Sequence, residues 1–345
     1  MKILLWVAIS LSLAFFSGCK QPDDDKNQAS GDKQVEEKSL STGTVEGLTQ
    51  QIKQDSSNAN LFYQRARLYY EGMDLNKALS DIGKAIHLEP GEADYRLLLA
   101  DIYKAMNKFQ DARTVLKKVA NRSQRNVKAN LKLAELELAY KDYQQALLHL
   151  NRVLDVEPDN ARAFYVKGIV YMEKGDTNKA IDHYMQSVDN DPAFQDPYLQ
   201  LGNIFAERGD PRAADFYNGA LNIRPDDVET MHMLGTYYQN QEKLDKAMST
   251  YHNILKVDSA HASTYYNMGF VEMVFRQNFD KAIEYYDKAI KYKSGYYQAF
   301  YNRGYAHELK EEYQQARDDY RKALKIRPNY AKAVQGMNRL DNVMY

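Results

Sequence analysis

The sequence predicts an all-α solenoid of eight helix-turn-helix repeats with a helix covering each end, and three observations carry that reading. Small residues recur at Ala66, Ala100, Ala134, Gly168, Gly202, Gly235, Gly269 and Gly304, at spacings of 34, 34, 34, 34, 33, 34 and 35. A second series, Ala78, Ala112, Ala146, Ala180, Ala213, Ala247, Ala282 and Ala316, runs at 34, 34, 34, 33, 34, 35 and 34. Pro90, Pro158, Pro192, Pro225 and Pro328 keep the same phase. A fixed period of this length marks an array in which each unit is one supersecondary element packed on its neighbours.

Composition bounds the rest. The chain has 345 residues, 44% of them hydrophobic and 27% charged, which suffices for a large core. Lys plus Arg total 46 against 47 Asp plus Glu, so the overall field lacks the basic signature of a nucleic-acid binder, and no nucleic-acid partner is expected. A single cysteine excludes an internal disulfide and a thiolate zinc cluster. No cofactor or metal is expected.

The chain starts with Met1 and Lys2 and continues with an almost unbroken apolar run of 14 residues from Ile3 to Phe16. That run is too short to span a bilayer, which takes roughly 20 residues, and reads as a secretory signal over residues 1–18. Phe16-Ser17-Gly18-Cys19 resembles the lipobox of bacterial lipoproteins, with Phe16 where Leu is usual. The resemblance implies cleavage before Cys19, acylation of that cysteine and attachment to the membrane through the lipid, where several acyl chains give stable anchoring. Residues 19–43 then read as a disordered tether rich in Lys, Asp, Gln, Glu and Ser. Random-coil statistics give it a mean reach of roughly 25 Å. Lys20 after the cysteine is not the Asp that retains many bacterial lipoproteins at the inner membrane. The expected location is therefore the bacterial cell envelope at the outer membrane, on its periplasmic or surface face. Asp23-Asp24-Asp25 resembles an acidic surface-export signal and reads equally as a solvated linker.

Residues 44–58 read as a capping helix in which Leu48 and Ile52, in phase with a second helix of a pair, cover the first repeat. The eight repeats occupy residues 59–330. In the fourth, Phe164, Gly168 and Tyr171 lie at i, i+4 and i+7, and Ala180, Tyr184 and Ser187 repeat the pattern in the second helix. Lys174-Gly175-Asp176 ends the first helix and caps the second. Asp196-Pro197 and Asp210-Pro211 each place an N-cap acid before a proline, whose missing N–H costs nothing there. The spacing places a one-residue deletion at Gly209-Asp210-Pro211 and a one-residue insertion between Gly269 and Ala282, both assigned to the turn inside a repeat. Residues 331–345 form the second cap, with Val334, Met337 and Leu340 as its covering face.

Phe164, Lys167-Gly168, Tyr171, Ala180, Tyr184, Ser187 and Pro192 stand where the tetratricopeptide repeat (TPR) has Trp, Leu-Gly, Tyr, Ala, aromatic, Ala and Pro. The chain resembles that family over residues 59–330. No repeat has the Trp, and Gln124, Ser259 and Ser294 replace the terminal Pro. The resemblance implies a right-handed superhelix whose concave groove is lined by the first helix of each pair.

The search for chemistry is negative: no phosphate loop, HExxH, GxSxG or Cys/His metal spacing occurs, and no enzyme is expected. His87, His149, His183 and His252 fall on second helices in packing or solvent roles. Asp318-Asp319 reads as a surface pair and Asp226-Asp227 as a loop, neither with a partner that perturbs it. Two candidate binding sites remain. The resemblance places Tyr165, Ile169 and Met172, then Tyr266, Phe270 and Met273, then Tyr301 and Tyr305 in the groove, at spacings that suit an apolar helix or an extended peptide. Arg67, Asp101, Lys104, Glu135, Asn203, His232, Thr236 and Gln239 hold equivalent, more polar places. The second candidate is a basic run of Lys117, Lys118, Arg122, Arg125, Lys128 and Lys132, suited to an acidic peptide, an anionic lipid or a polyanionic glycan. The carboxylate clamp of some family members is matched only by Lys128 and Lys132.

These features predict a membrane-tethered scaffold or adaptor that binds a segment of another protein in its groove. An outer-membrane assembly or secretion component and a surface glycan-binding lipoprotein are the alternatives, and self-association through exposed aromatics is compatible with all three.

Overall fold

The computed structural model describes residues 43–343. The apolar run, Cys19 and the acidic triplet lie outside the described residues. Within them every regular element is helical, beginning with α1 (Val45–Gln54). Eight pairs follow: α2 and α3 (Ala59–Glu71, Leu75–Leu88), α4 and α5 (Ala93–Ala105, Phe109–Arg122), α6 and α7 (Val127–Ala139, Tyr143–Leu154), α8 and α9 (Ala161–Glu173, Thr177–Asn190), α10 and α11 (Gln195–Glu207, Arg212–Ile223), α12 and α13 (Val228–Asn240, Leu244–Val257), α14 and α15 (Ala262–Phe270, Phe279–Tyr292), α16 and α17 (Tyr297–Leu309, Tyr313–Ile326). The series closes with α18 (Ala331–Val343).

Each helix packs on the next in chain order, and first helices of neighbouring pairs touch as well, α2 with α4 and α6 with α8. That second layer of contact puts the first helices on the inner, concave side of the array. Both predicted alanine series are central to the packing: Ala66, Ala100 and Ala134, and all eight from Ala78 to Ala316, have no accessible surface. The glycines continue the first series where the opposing side chain is larger. Tyr217 packs on Gly202 and Tyr286 on Gly269, whereas the alanine repeats set Ile82, Leu116 and Leu150 at that place.

The turn within each repeat is built on one left-handed residue. Met73, Asn107, Lys141, Gly175, Gly209, Glu242, Gln277 and Glu311 all have φ between 53° and 78°. In four of the eight repeats a polar side chain, Asp74, Asp142, Asp176 or Asn278, then caps the second helix, Asp142 accepting from the Gln145 N–H at 3.2 Å and Asp176 from the Lys179 N–H at 3.2 Å. The expected deletion sits where the spacing placed it. The Ala213 N–H bonds Asp210 O three residues back, where the Ala180 N–H bonds Asp176 O four back.

Five local expectations are corrected. The insertion is absorbed within the first helix of repeat seven as a π-helical turn, Val271–Phe275, in which the Arg276 N–H bonds Val271 O at 3.2 Å. An extra residue widens one turn there and leaves the interhelix turn at its standard length. Asp196 lies inside α10, whose N-cap is Phe194 and has no side-chain cap bond. Val334 is 41% exposed, and the covering face of α18 is formed by Ala333, Met337 and Leu340. Asp319 is buried beneath a bidentate contact from Arg303, Nε to Oδ2 at 2.7 Å and a terminal guanidinium nitrogen to Oδ1 at 2.6 Å. Asp227 caps α12; burial opposes its ionisation, but hydrogen bonds from Thr230 and Gln195 outweigh that and lower its pKa.

Candidate functional site

The predicted groove residues meet different fates along the array. Tyr165, Tyr266 and Tyr301 are each half-buried between two other rings. One comes from the second helix of the same repeat and one from the start of the following helix pair or cap. Tyr165 lies 5.8 Å from Tyr184 and 5.1 Å from Phe194, Tyr266 lies 5.8 Å from Tyr286 and 5.0 Å from Tyr296, and Tyr301 lies 5.6 Å from Tyr320 and 5.5 Å from Tyr330. These three-ring stacks join successive repeats, and burial pushes the Tyr165 and Tyr266 phenols up to about 12. Their rings are thus packing elements whose remaining edges and hydroxyls border the groove.

Tyr305 extends the last stack, with its ring parallel to that of Tyr301 at 6.2 Å and the Arg339 guanidinium 5.5 Å from its centroid. Phe270 meets Phe275 edge-on at 6.1 Å, a contact between residues five apart that the π-turn makes possible. The same turn removes a predicted site residue. Met273 is buried together with Val271 and Glu272, so it belongs to the core of repeat seven and not to the groove. Ile169 and Met172 are half-buried and pack against the core around Tyr184 and Leu201.

The polar stretch of the groove neutralises itself. Lys132 Nζ lies 2.7 Å from Asp101, Arg162 lies 2.7 Å from Glu135, and Lys128 lies 3.5 Å from Asp94, each pair bridging two repeats. Asn203 accepts from Tyr217 OH at 2.7 Å and Gln239 from Tyr251 OH at 2.9 Å. His232 contacts His261, with ring centroids 5.6 Å apart, and burial first, then His261, lower its pKa.

These pairs also dissolve the basic run. Lys117 bonds the buried Glu137 at 3.3 Å, which leaves Lys118, Arg122 and Arg125 without a carboxylate among the described residues. Arg122 turns to the carbonyl of Gly91 at 3.3 Å. Lys128 and Lys132, the matched half of a carboxylate clamp, are thus paired with aspartates, while Lys118 and Arg122 line a cleft with Arg96. A cleft of about 680 Å³ between α11, α12 and α13 gathers Asn218, Tyr238, Lys246 and Lys256, none of them a predicted site residue. Among the described residues no group of three or more His, Cys, Asp or Glu could hold a metal, and no helix is long and apolar enough to cross a membrane.

Sequence reasoning missed the outer rings of the stacks. Phe194, Tyr296 and Tyr330 occupy one register of the repeat, and that register was the available signal. It also missed Arg65–Asp81 and Arg303–Asp319, matching ion pairs at equivalent positions of the first and last repeats.

An array of paired helices offering a ring-lined concave face defines a repeat scaffold of the protein-interaction class. A profile of the tetratricopeptide repeat-like domain matches residues 42–202, and tetratricopeptide repeat profiles match 228–261, 262–296 and 297–330. The chain belongs to the tetratricopeptide repeat family. Among solved structures it is similar to the C-terminal part of a TPR repeat-containing protein from Cytophaga hutchinsonii, at 21% identity and a TM-score of 0.61, over 70% of this chain and 99% of that one. It is also similar to PilF of Pseudomonas aeruginosa, at 17% identity and a TM-score of 0.51, over 60% and 94% of the two chains. Both likenesses concern the fold. No curated protein sequence matches the chain.

Proposed function

We propose that the protein is a non-enzymatic adaptor, held at a bacterial outer membrane through acylated Cys19, that receives a segment of another protein in the groove of repeats seven and eight. The observation that supports this reading is a contrast along one face. In repeats two to four Asp94, Asp101, Lys128, Lys132, Glu135 and Arg162 pair off between neighbours, whereas Phe270, Tyr301 and Tyr305 keep part of their rings open. Aromatic faces with polar tips give adaptable contact at low side-chain entropy, which suits peptide capture. Tethering confines scaffold and partner to one surface and raises their effective concentration.

Two measurements test the proposal. A photo-crosslinking residue at position 305 should capture a discrete partner in cells, and the same residue at Leu148, exposed on a second helix, should not. Equal capture from both positions, or none from 305, rejects the groove. Metabolic labelling with an alkyne fatty acid should mark the wild-type chain and not Cys19→Ala; labelling of both rejects the anchor.

A further inference from the structure

Two tyrosines between repeat seven and the C-terminal helix accept hydrogen bonds and keep their own O–H to donate. Tyr266 OH accepts from Asn302 Nδ2 at 3.0 Å, and Tyr297 OH accepts from the Arg327 guanidinium. A phenol oxygen that accepts still carries its own hydrogen, which remains available to a second partner. Below them Tyr286 is fully buried, and its hydroxyl has no partner among the described residues. Its counterparts show where it is aimed, since Tyr217 OH reaches Asn203, Tyr251 OH reaches Gln239 and Tyr320 OH reaches Glu308, all on the groove stripe. In repeat seven the place of Asn203 holds Phe270 and the place of Gln239 and Glu308 holds Met273, neither of which offers a comparable acceptor. The strong acceptor nearby, Glu308, is already taken by Tyr320 and by Arg339 at 2.7 Å.

Charge adds to this polarity. Lys293 Nζ lies 4.7 Å from the centroid of Tyr296, and the Arg327 guanidinium 5.0 Å from that of Tyr297. The two cations occupy the same place in successive repeats, and among the described residues neither has a carboxylate partner.

We infer that this end of the groove binds an extended, proline-rich peptide segment flanked by carboxylates, an inference that rests on the groove reading above. A proline segment offers flat apolar faces to the rings, and carbonyl acceptors with no N–H to be satisfied. That is the complement of a donor-lined aromatic floor. Its extended shape is already set before binding, so little conformational entropy is lost. An amphipathic helix uses its own carbonyls internally and leaves the tyrosine hydroxyls unanswered. Acidic residues beside the prolines meet Lys293 and Arg327.

The test uses the full chain in detergent and a dye-labelled peptide of eight prolines with two glutamates at each end. Fluorescence anisotropy compares it with the same peptide carrying alanine for proline, and maltoheptaose serves as competitor. The proline peptide should bind at least ten-fold more tightly than the alanine peptide. Tyr266→Phe, which keeps the ring, should weaken it roughly five-fold, the loss of one neutral hydrogen bond. Lys293→Ala with Arg327→Ala, both at exposed edges, should weaken it further and flatten its salt dependence. Equal binding of the two peptides, with loss of both in Tyr305→Ala, overturns the proline assignment and leaves the groove reading intact. Absence of any Tyr305-dependent peptide binding overturns both. Displacement by maltoheptaose without preference between peptides overturns the proposal in favour of a glycan.

Discussion

Gly202 lies so close to the ring of Tyr217 that a Cβ on the glycine would sit 2.7 Å from Cδ1. Glycine inside a helix is ordinarily a weakness of about 1 kcal/mol relative to alanine, so its retention here reflects contact between a backbone and a ring. Repeats one to three solve the same volume problem the other way, with alanine opposite Ile82, Leu116 or Leu150. The two solutions are alternative fillings of one space.

Gly202→Ala should therefore destabilise the array by about 1–3 kcal/mol through overpacking, although helix propensity alone favours it. Adding Tyr217→Leu should restore part of the loss, because the pair then copies repeats two and three. Urea midpoints of the two single variants and the double variant measure the coupling. A stabilised Gly202→Ala would remove the packing argument.

The left-handed turn residues give a test of opposite sign. Glu242 and Gln277 hold φ of 55° and 53°, a region that costs side-chain-bearing residues about 1–2 kcal/mol. Part of that gain is offset by the freer unfolded chain, so Gln277→Gly should raise stability by about 0.5–1 kcal/mol and the melting temperature with it. Gly175→Ala, at φ 78°, should lower it by a similar amount.

The end-repeat ion pairs predict asymmetric damage. Asp319→Ala leaves Arg303 partly buried with only Asp287 beside it and should cost about 3 kcal/mol. Replacing both by apolar residues, Arg303→Leu with Asp319→Val, copies Leu99 and Val115 of repeat two and should cost far less. Lys128→Ala, at an exposed pair, should change the midpoint by less than about 1 kcal/mol. Equal costs for the single and double changes at 303 and 319 would contradict this ranking.

Acidification should loosen the fold in a window set by histidine. Burial foremost lowers the pKa of His149, His183 and His232 from 6.5, so the folded state favours their neutral forms. Below pH 6.5 the unfolded chain binds protons that the folded chain does not, and stability falls until the lowered folded values are passed. Urea midpoints should therefore drop between pH 7.5 and 5.5, and the drop should shrink in His149→Gln, whose imidazole now meets Asn130 at 2.8 Å. A midpoint that rises on acidification would falsify the assignment.

The repeat phase, the first cap and the turn chemistry were legible because each rests on local rules: period, capping and a left-handed turn. What escaped was set by contacts between distant segments. Tyr165 and Phe194 are 29 residues apart and meet only once two repeats stack. Lys128 and Lys132 look like a basic surface in the linear sequence because Asp94 and Asp101 lie a repeat earlier. The extra residue of repeat seven shifts the count identically in a turn or in a helix, so spacing alone cannot place it. Met273 moved from groove to core for that reason.

The three-ring stacks give the array a mechanical property. Rings that border the groove are also the ones through which successive repeats touch, so the curvature of the coil and the shape of its inner face change together. A bound segment that bridges Tyr266, Tyr296 and Tyr301 acts as a splint along the axis, and stretching the array pries the same rings apart. Pulling between its ends should therefore meet more resistance when the groove is filled.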